Sequence, residues 1–289
     1  MNGDVLDLRI KGYGEPIHIS PFSDLHSESP YCDLALLKRT LNERRALKNS
    51  IFIGVGDFFN SILPGDLKRY KPSENHRCIA GRDDMVDEIV SSQQKLLGGY
   101  PWVLMAQGNH EHSTLKNQHT DLIHRLCEGM ELPDWVTNKG GSNIPHGAYT
   151  GFLRLRIWDG EKKAVAPRCS IDIAYHHGAW GGQGKGVIGM ARWAGSMTGA
   201  RIFLVGHNHQ TFVDPSVVTR LTSAGVLEEQ SRHTVLCGSY LRGGIPGVTS
   251  YSEIKGLVPS YRGTPLITLK MVRAGSKSGA SHLDVKVTV

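Results

Sequence analysis

The stretch Ser50-Ile-Phe-Ile-Gly-Val-Gly-Asp57 is an apolar run that ends in glycine and aspartate. A continuous run of this kind is typical of a strand in a sheet that is covered on both faces. A second run, Arg201-Ile-Phe-Leu-Val-Gly-His-Asn-His209, has the same form and ends in two histidines. The two stretches predict an α/β protein in which polar side chains gather where strands end.

The segments around these runs alternate between strand and helix patterns. An apolar strand pattern occupies residues 16–22, and a second, within residues 101–111, runs into polar residues at its end. Helical spacing of apolar residues occupies 33–49, 83–99 and 114–130. Later in the chain, residues 151–178 predict two strands around an Asp-Gly turn, and residues 233–289 are mostly strand-like. The order βαβαβα followed by strands predicts one α/β domain over residues 1–289 with two packed sheets.

Two segments interrupt this order. Residues 60–83 are polar and rich in proline and glycine, which predicts an inserted loop. The glycine-rich residues 178–189 follow a histidine pair, which predicts a loop at the rim of a site. The rim loop lacks the spacing of a phosphate-binding loop. Its Lys185 either contacts an anionic substrate or is solvated, and Trp180 and Trp193 either stack on a nucleobase or pack in the rim.

The composition is that of an ordinary globular protein. The chain has 289 residues, of which 39% are hydrophobic and 21% charged. No run approaches the roughly 18 apolar residues of a membrane helix, and the first residues lack the pattern of a secretory signal. Five scattered cysteines without a C-x-x-C pair favour reduced thiols and a cytoplasmic location. The net charge of +6 favours anionic partners, either phosphorylated metabolites or nucleic acid.

Five apolar runs end in residues of the types that are suited to metal binding. In chain order these are Asp24-Leu-His26, Gly56-Asp57, Gly108-Asn-His-Glu111, His176-His177 and Gly206-His-Asn-His209. A lone Gly-Asp is usually a turn, and an isolated histidine pair is usually solvated. All five motifs in order, each at the end of a predicted strand, indicate a metal site instead. Oxygen and imidazole donors without cysteine suit Mn, Fe, Zn or Ni.

The order D-x-H, G-D, G-N-H-E, H and G-H-x-H over residues 24–209 resembles the calcineurin-like metallophosphoesterase superfamily. The resemblance implies a four-layer α/β/β/α sandwich of two mixed sheets, and a dinuclear site with Mn as the expected metal. The implied ligands are Asp24, His26 and His209 for one ion, Asn109, His207 and one of His176 and His177 for the other, and Asp57 as the bridge. We expect His176 to be the ligand, because relatives with a doubled histidine usually bind through the first.

The resemblance also implies the chemistry. A hydroxide that bridges two divalent ions would attack the phosphorus of a phosphoester in line. His110 would give a proton to the leaving alkoxide. Asp24 either orients His110 or serves only as a ligand. Glu111 and His112 are expected beside the ligands or in solvent, without a chemical role.

Departures from the family's pattern narrow the substrate. Gln107 stands where protein serine/threonine phosphatases of this superfamily have arginine, and Asn60 stands where purple acid phosphatases have tyrosine. The leading prediction is therefore a phosphodiesterase that acts on nucleotide-like or small diesters. The alternatives are a nuclease, a phosphomonoesterase and a scaffold that has lost its chemistry. No substrate-binding residue is assigned.

Overall fold

Two mixed β-sheets form the centre of the molecule. The computed structural model describes residues 3–10, 15–60, 85–138, 141–159, 166–179, 183–197, 199–221, 225–243, 261–273 and 281–289. The strands in these ranges are β1 (Gly3–Ile10), β2 (Pro16–Phe22), β3 (Ser50–Val55), β4 (Trp102–Ala106), β5 (Val136–Asn138), β6 (His146–Gly147), β7 (Thr150–Asp159), β8 (Cys169–His176), β9 (Ile202–Val205), β10 (Thr211–Leu221), β11 (Leu227–Cys237), β12 (Leu266–Arg273) and β13 (Ser281–Thr288). The helices are α1 (Leu34–Arg45), α2 (Met85–Leu97), α3 (Asn109–Gln118), α4 (Leu122–Cys127) and α5 (Gln183–Ser196).

The strand order brings the predicted motifs to one end of both sheets. One sheet runs β13-β12-β2-β3-β4-β6, and in it β2, β3, β4 and β6 are parallel. The other sheet runs β10-β11-β9-β8-β7-β1-β5, and in it β8, β9 and β11 are parallel. Since parallel strands end at the same edge, the loops after β2, β3 and β4 lie side by side, as do those after β8 and β9.

The sheets pack face to face around one apolar core. Alternate residues of β7 and β8, such as Leu155 and Ile173, join Ile19 and Ile53 of the other sheet in a single buried cluster. Helices α1, α2 and α4 lie on the six-stranded sheet, and α5 packs on the seven-stranded sheet through Met190 and neighbouring residues. The layers are therefore α/β/β/α, as expected from the sequence.

Several predicted boundaries differ from the structure. The strand in the segment 101–111 ends at Ala106, before the polar residues of that segment, and the helix expected over 114–130 is two helices, α3 and α4. The break falls at His119, which ends α3 in the left-handed conformation, and at Asp121, whose side chain caps α4 by accepting a hydrogen bond from the N–H of His124. Strands β1 and β10 were not predicted.

The predicted rim loop is partly helical. Residues 183–189 belong to α5, so the assignment of this stretch to a loop was wrong. A helical glycine costs about 1 kcal/mol relative to alanine. Burial of Met190 and Ala194 against the seven-stranded sheet offsets that cost. Residues 61–84, most of the predicted insertion, and the side chain of Lys185 lie outside the described part of the chain.

Candidate metal centre

Backbone hydrogen bonds hold the loops at the strand ends together. The N–H of Asp24, after β2, donates to the carbonyl of Gly56, after β3, at 3.0 Å. The N–H of His207, after β9, donates to Asp24 Oδ2 at 2.9 Å. The Asp24 side chain also accepts from Ser23 Oγ at 2.6 Å. Loops from both sheets therefore converge on the buried carboxylate of Asp24.

Backbone strain is concentrated in the predicted ligands. Seven non-glycine residues in the described ranges have a positive φ, and five of them belong to the predicted ligand set. These five are Asp24 (51°), His26 (42°), Asp57 (54°), His207 (69°) and His209 (52°). Left-handed conformations in non-glycine residues cost free energy and cluster at functional sites. This concentration is a structural mark of a site that is independent of the motifs.

The first predicted ligand set comes together. Asp24, His26 and His209 place one ligand atom each within 4.8 Å of one another. Asp24 Oδ1 lies 3.2 Å from Nε2 of His209 and 4.0 Å from Nε2 of His26. Asp24 and His26 are buried, so their metal-binding atoms face the interior of the site.

A second group lies beside the first. Asp57, His177 and His207 meet the same 4.8 Å limit. Asn109 joins them through Oδ1, which lies 3.1 Å from Nε2 of His177. Asp57 Oδ2 lies 3.1 Å from Nε2 of His177 and 3.7 Å from Nε2 of His26. Asp57 therefore stands between the two groups, where the sequence predicted a bridging carboxylate.

His177, and not His176, lies in this cluster, whereas the sequence favoured His176 as the ligand. Nδ1 of His176 accepts a hydrogen bond from the N–H of Gly178, and its ring lies against Trp193. Side chains alternate along a strand, and Ile171, Ile173 and Tyr175 of β8 all face the core. His177 continues that alternation into the site. The alternation of apolar side chains over residues 171–175 is the feature of the sequence that could have identified His177 as the residue facing the site.

The tautomer of His177 suits metal binding. Its Nδ1 lies 2.7 Å from the carbonyl oxygen of Val55, which only accepts hydrogen bonds. Nδ1 therefore carries a proton and leaves Nε2 facing Asp57 and Asn109. Metal-binding histidines commonly donate their other N–H to a carbonyl in this way. Both ring nitrogens of the buried His26 lack a hydrogen-bond partner within the described residues, and a cation bound at Nε2, which faces Asp24 and Asp57, would explain this for that nitrogen.

The charges of the cluster are strongly coupled. Burial favours the neutral form of His177, but the carboxylates of Asp57 and Asp24 raise its pKa to about 10. Burial likewise opposes the charge on Asp57, yet His177 and His110 hold the pKa of that carboxyl well below its usual range. Burial and the neighbouring His110 lower the pKa of His26 to about 3. The cluster thus keeps anionic carboxylates in a water-poor setting, which suits cations.

His110 lies at the edge of both groups. Its backbone N–H donates to Asp57 Oδ1 at 3.0 Å, and its ring centroid lies 4.6 Å from that of His26. A nitrogen of His110 also comes within 4.8 Å of ligand atoms of His26 and Asp57. The predicted proton donor is therefore in the site. The contacts described for Asp24 tie it to the first ligand group, and its role in orienting His110 stays a prediction.

Glu111 has a larger part in the site than the sequence indicated. It is fully buried and accepts hydrogen bonds from the N–H groups of Asp57, Phe59 and Gly108. Burial and the charge of Asp57 raise the pKa of Glu111 to about 8, while the donors on Phe59 and Gly108 act in the opposite direction. The available signal was a glutamate three residues after a helix-capping glycine, which is half of a capping box.

Other residues singled out in the sequence have simpler surroundings. Trp193 packs against Phe203 and His176, which favours packing over base stacking. Gln107 donates to Asp121 Oδ2 at 3.2 Å, so it supports the cap of α4. His112 is exposed. Trp180 lies outside the described residues.

No protein-family model and no curated protein matches the chain. Solved structures that show a likeness to it include two of one protein. One is Vps29 of Chaetomium thermophilum, at 10% identity over 94% of this chain and 95% of that chain, with a TM-score of 0.34. The other is the same protein with the RaPID-derived cyclic peptide RT-D3, at 10% identity over 94% and 96%, with a TM-score of 0.25. Both TM-scores lie below 0.5, so the fold assignment rests on this chain's own strand order and layers.

None of the helices in the described residues is both long enough and apolar enough to cross a bilayer.

Proposed function

We propose that this protein is a dinuclear metal-dependent phosphoesterase, and specifically a phosphodiesterase for nucleotide-like or small diesters. The observation that carries the proposal is the position of Asp57 between two clusters of metal-binding groups. Asp24, His26 and His209 would hold one divalent ion, and Asn109, His177 and His207 the other. Mn²⁺ is the expected metal, with Fe, Zn or Ni as alternatives.

Two divalent ions in this site would lower the pKa of a water molecule and offset the charge of the phosphoryl oxygens. The chain itself contributes fixed ligands, because strained loops and hydrogen bonds hold Asp24 and Asp57 before any metal arrives. His110 would protonate the leaving alkoxide. Its ring lies beside His26 at the edge of both groups, which is a suitable place for a proton donor to the substrate.

A nuclease is the second candidate, and the net charge of +6 favours it. Phosphate contacts by basic residues release counterions, so nucleic-acid binding of this kind weakens steeply with salt. Hydrolysis of a single-stranded oligonucleotide that falls as salt rises, while hydrolysis of a small diester is unaffected, would favour the nuclease.

The proposal is tested by comparing two chromogenic substrates. Purified protein with added Mn²⁺ receives bis-p-nitrophenyl phosphate or p-nitrophenyl phosphate. Asp57→Asn serves as the inactive variant. Asp172→Asn serves as the control, since Asp172 pairs with the exposed Arg154 at 2.6 Å, away from the cluster. We expect turnover of the diester by the wild type and the control, and none by Asp57→Asn.

Preference for the monoester would make the protein a phosphatase. Equal activity in Asp57→Asn would contradict the proposed site. Absence of turnover with Mn²⁺, Fe²⁺, Zn²⁺ and Ni²⁺ in turn, together with no metal binding, would contradict the enzyme and favour a scaffold.

A further inference from the structure

One buried carboxyl group joins the two loops that carry Asp57 and Asn109. Oε2 of Glu111 accepts from the N–H of Gly108 at 2.8 Å and from that of Asp57 at 3.0 Å. Oε1 accepts from the N–H of Phe59 at 3.0 Å. Asp57 and Phe59 lie in the loop after β3, whereas Gly108 lies in the loop after β4. A single side chain thus satisfies buried donors of both loops, which would otherwise have no acceptor from a strand.

The two loops touch through their backbones at this point. A Cβ atom at Gly56 would lie 2.5 Å from Cα of Gly108, so no side chain can separate them. In return, the N–H of His110 in the second loop donates to Asp57 Oδ1 at 3.0 Å. The side chain of Glu111 holds the main chain of Asp57, and the main chain of His110 holds the side chain of Asp57.

We infer that Glu111 is a positioning residue for the metal centre, an inference that rests on the proposed function. Glu111 anchors Asp57 at a left-handed backbone position, with φ of 54°. Asp57 is the carboxylate nearest to both ligand groups, so a shift of its backbone displaces a ligand of each. Glu111 also fixes the start of α3, from which Asn109 projects. Glu111 thereby increases the affinity of the site for metal, because it holds Asp57 and Asn109 in place.

The inference is tested with Glu111→Gln in the full chain. The amide has nearly the same shape, but its NH₂ group cannot accept a hydrogen bond, so at least one of the three N–H groups loses its acceptor. Leu269→Ala is the control. Leu269 is fully buried and pairs with Ile17, at the end of β2 opposite Asp24. Its loss destabilises the fold without touching the site.

Two quantities are measured for each variant: Tm in the presence of a chelator, and the Kd for Mn²⁺ by titration calorimetry. Both variants should lower Tm. Glu111→Gln should weaken Mn²⁺ binding by about 10- to 100-fold, as expected for a group that orients metal ligands. Leu269→Ala should leave the Kd within about twofold, because distant sites act independently.

A wild-type Kd in Glu111→Gln with a lowered Tm would overturn the inference, since Glu111 would then support the fold alone. If Glu111→Gln does not fold, Glu111→Asp decides, because it keeps both oxygens but withdraws them by one methylene. Weaker Mn²⁺ binding in Glu111→Asp supports the positioning role, and a wild-type Kd overturns it. A wild-type protein that binds none of Mn²⁺, Fe²⁺, Zn²⁺ and Ni²⁺ would instead overturn the proposed function, and the inference with it.

Discussion

Gly108 packs against Asp57 so closely that Gly108→Ala tests the geometry of the site. A Cβ atom at Gly108 would lie 2.2 Å from Asp57 Oδ1 and 2.4 Å from Asp57 N. The backbone of Gly108 has φ −105° and ψ −170°, an extended conformation that alanine adopts readily. The whole cost of the substitution therefore comes from the contact with Asp57, and none of it from the backbone.

The size of that cost follows from the two distances. Both are shorter than van der Waals contact by roughly 1 Å, and Asp57 cannot yield easily because it is buried and hydrogen-bonded. Overpacking of this kind costs about 1–3 kcal/mol, and the lower chain entropy of alanine in the unfolded state returns about 0.4–1 kcal/mol. The difference is about 0–2.6 kcal/mol, and two contacts this short place the net loss in the upper half of that range, which lowers Tm by about 3–10 °C in a domain of this size.

The assay is thermal unfolding with a chelator present, followed by Mn²⁺ titration of the folded variant. Because Asp57 must move, the Kd for Mn²⁺ should rise by about tenfold or more. Gly195→Ala is the matched control: its Cβ atom would meet nothing within 4 Å, and it lies in α5, where alanine is favoured. A Gly108→Ala protein that melts with the wild type and binds Mn²⁺ as tightly would refute the close contact of the two loops.

Three further predictions concern protons, catalysis and the fold. The pKa of His177 is raised to about 10, above its ordinary value, so both ring nitrogens of His177 carry a proton in the metal-free protein at pH 8. Mn²⁺ binding at pH 8 should then release about one proton from His177, and the affinity for Mn²⁺ should increase as the pH rises toward 10. Titration calorimetry in two buffers of different ionisation enthalpy measures the number of protons released. His110→Asn should lower kcat by about 10²- to 10⁴-fold while the bound Mn²⁺ is retained, and loss of the metal would make His110 a ligand instead. Asp33 caps α1 and pairs with two arginines, so Asp33→Ala should cost about 1–2 kcal/mol by chemical denaturation. Asp33→Asn should cost less than Asp33→Ala, because asparagine also caps a helix.

The strands that could be predicted from the sequence with the least ambiguity are those in which every residue is buried. β9 is apolar throughout, β3 is apolar after Ser50, and both are buried throughout, so their residues alone indicated a covered sheet. β10 escaped prediction because Pro215 interrupts it, and proline fits there since β10 is the edge strand of its sheet.

Most of the candidate site was predictable because motif residues follow strands whose ends coincide. Which member of the pair His176 and His177 faces the cluster depends on the phase of β8, which a doubled histidine in the sequence does not reveal. The role of Glu111 depends on the approach of two loops that are about 50 residues apart in sequence, a long-range contact that no local pattern encodes.

The most direct test of the account is the amount of Mn²⁺ bound per chain, measured by elemental analysis after equilibration with Mn²⁺ and gel filtration. We predict two ions in the wild type, two in His176→Asn and fewer than two in His177→Asn, because only His177 lies with Asp57 and His207. A wild type that holds no metal would contradict the dinuclear centre. Two ions in His177→Asn and fewer in His176→Asn would contradict the assignment of its second ligand set.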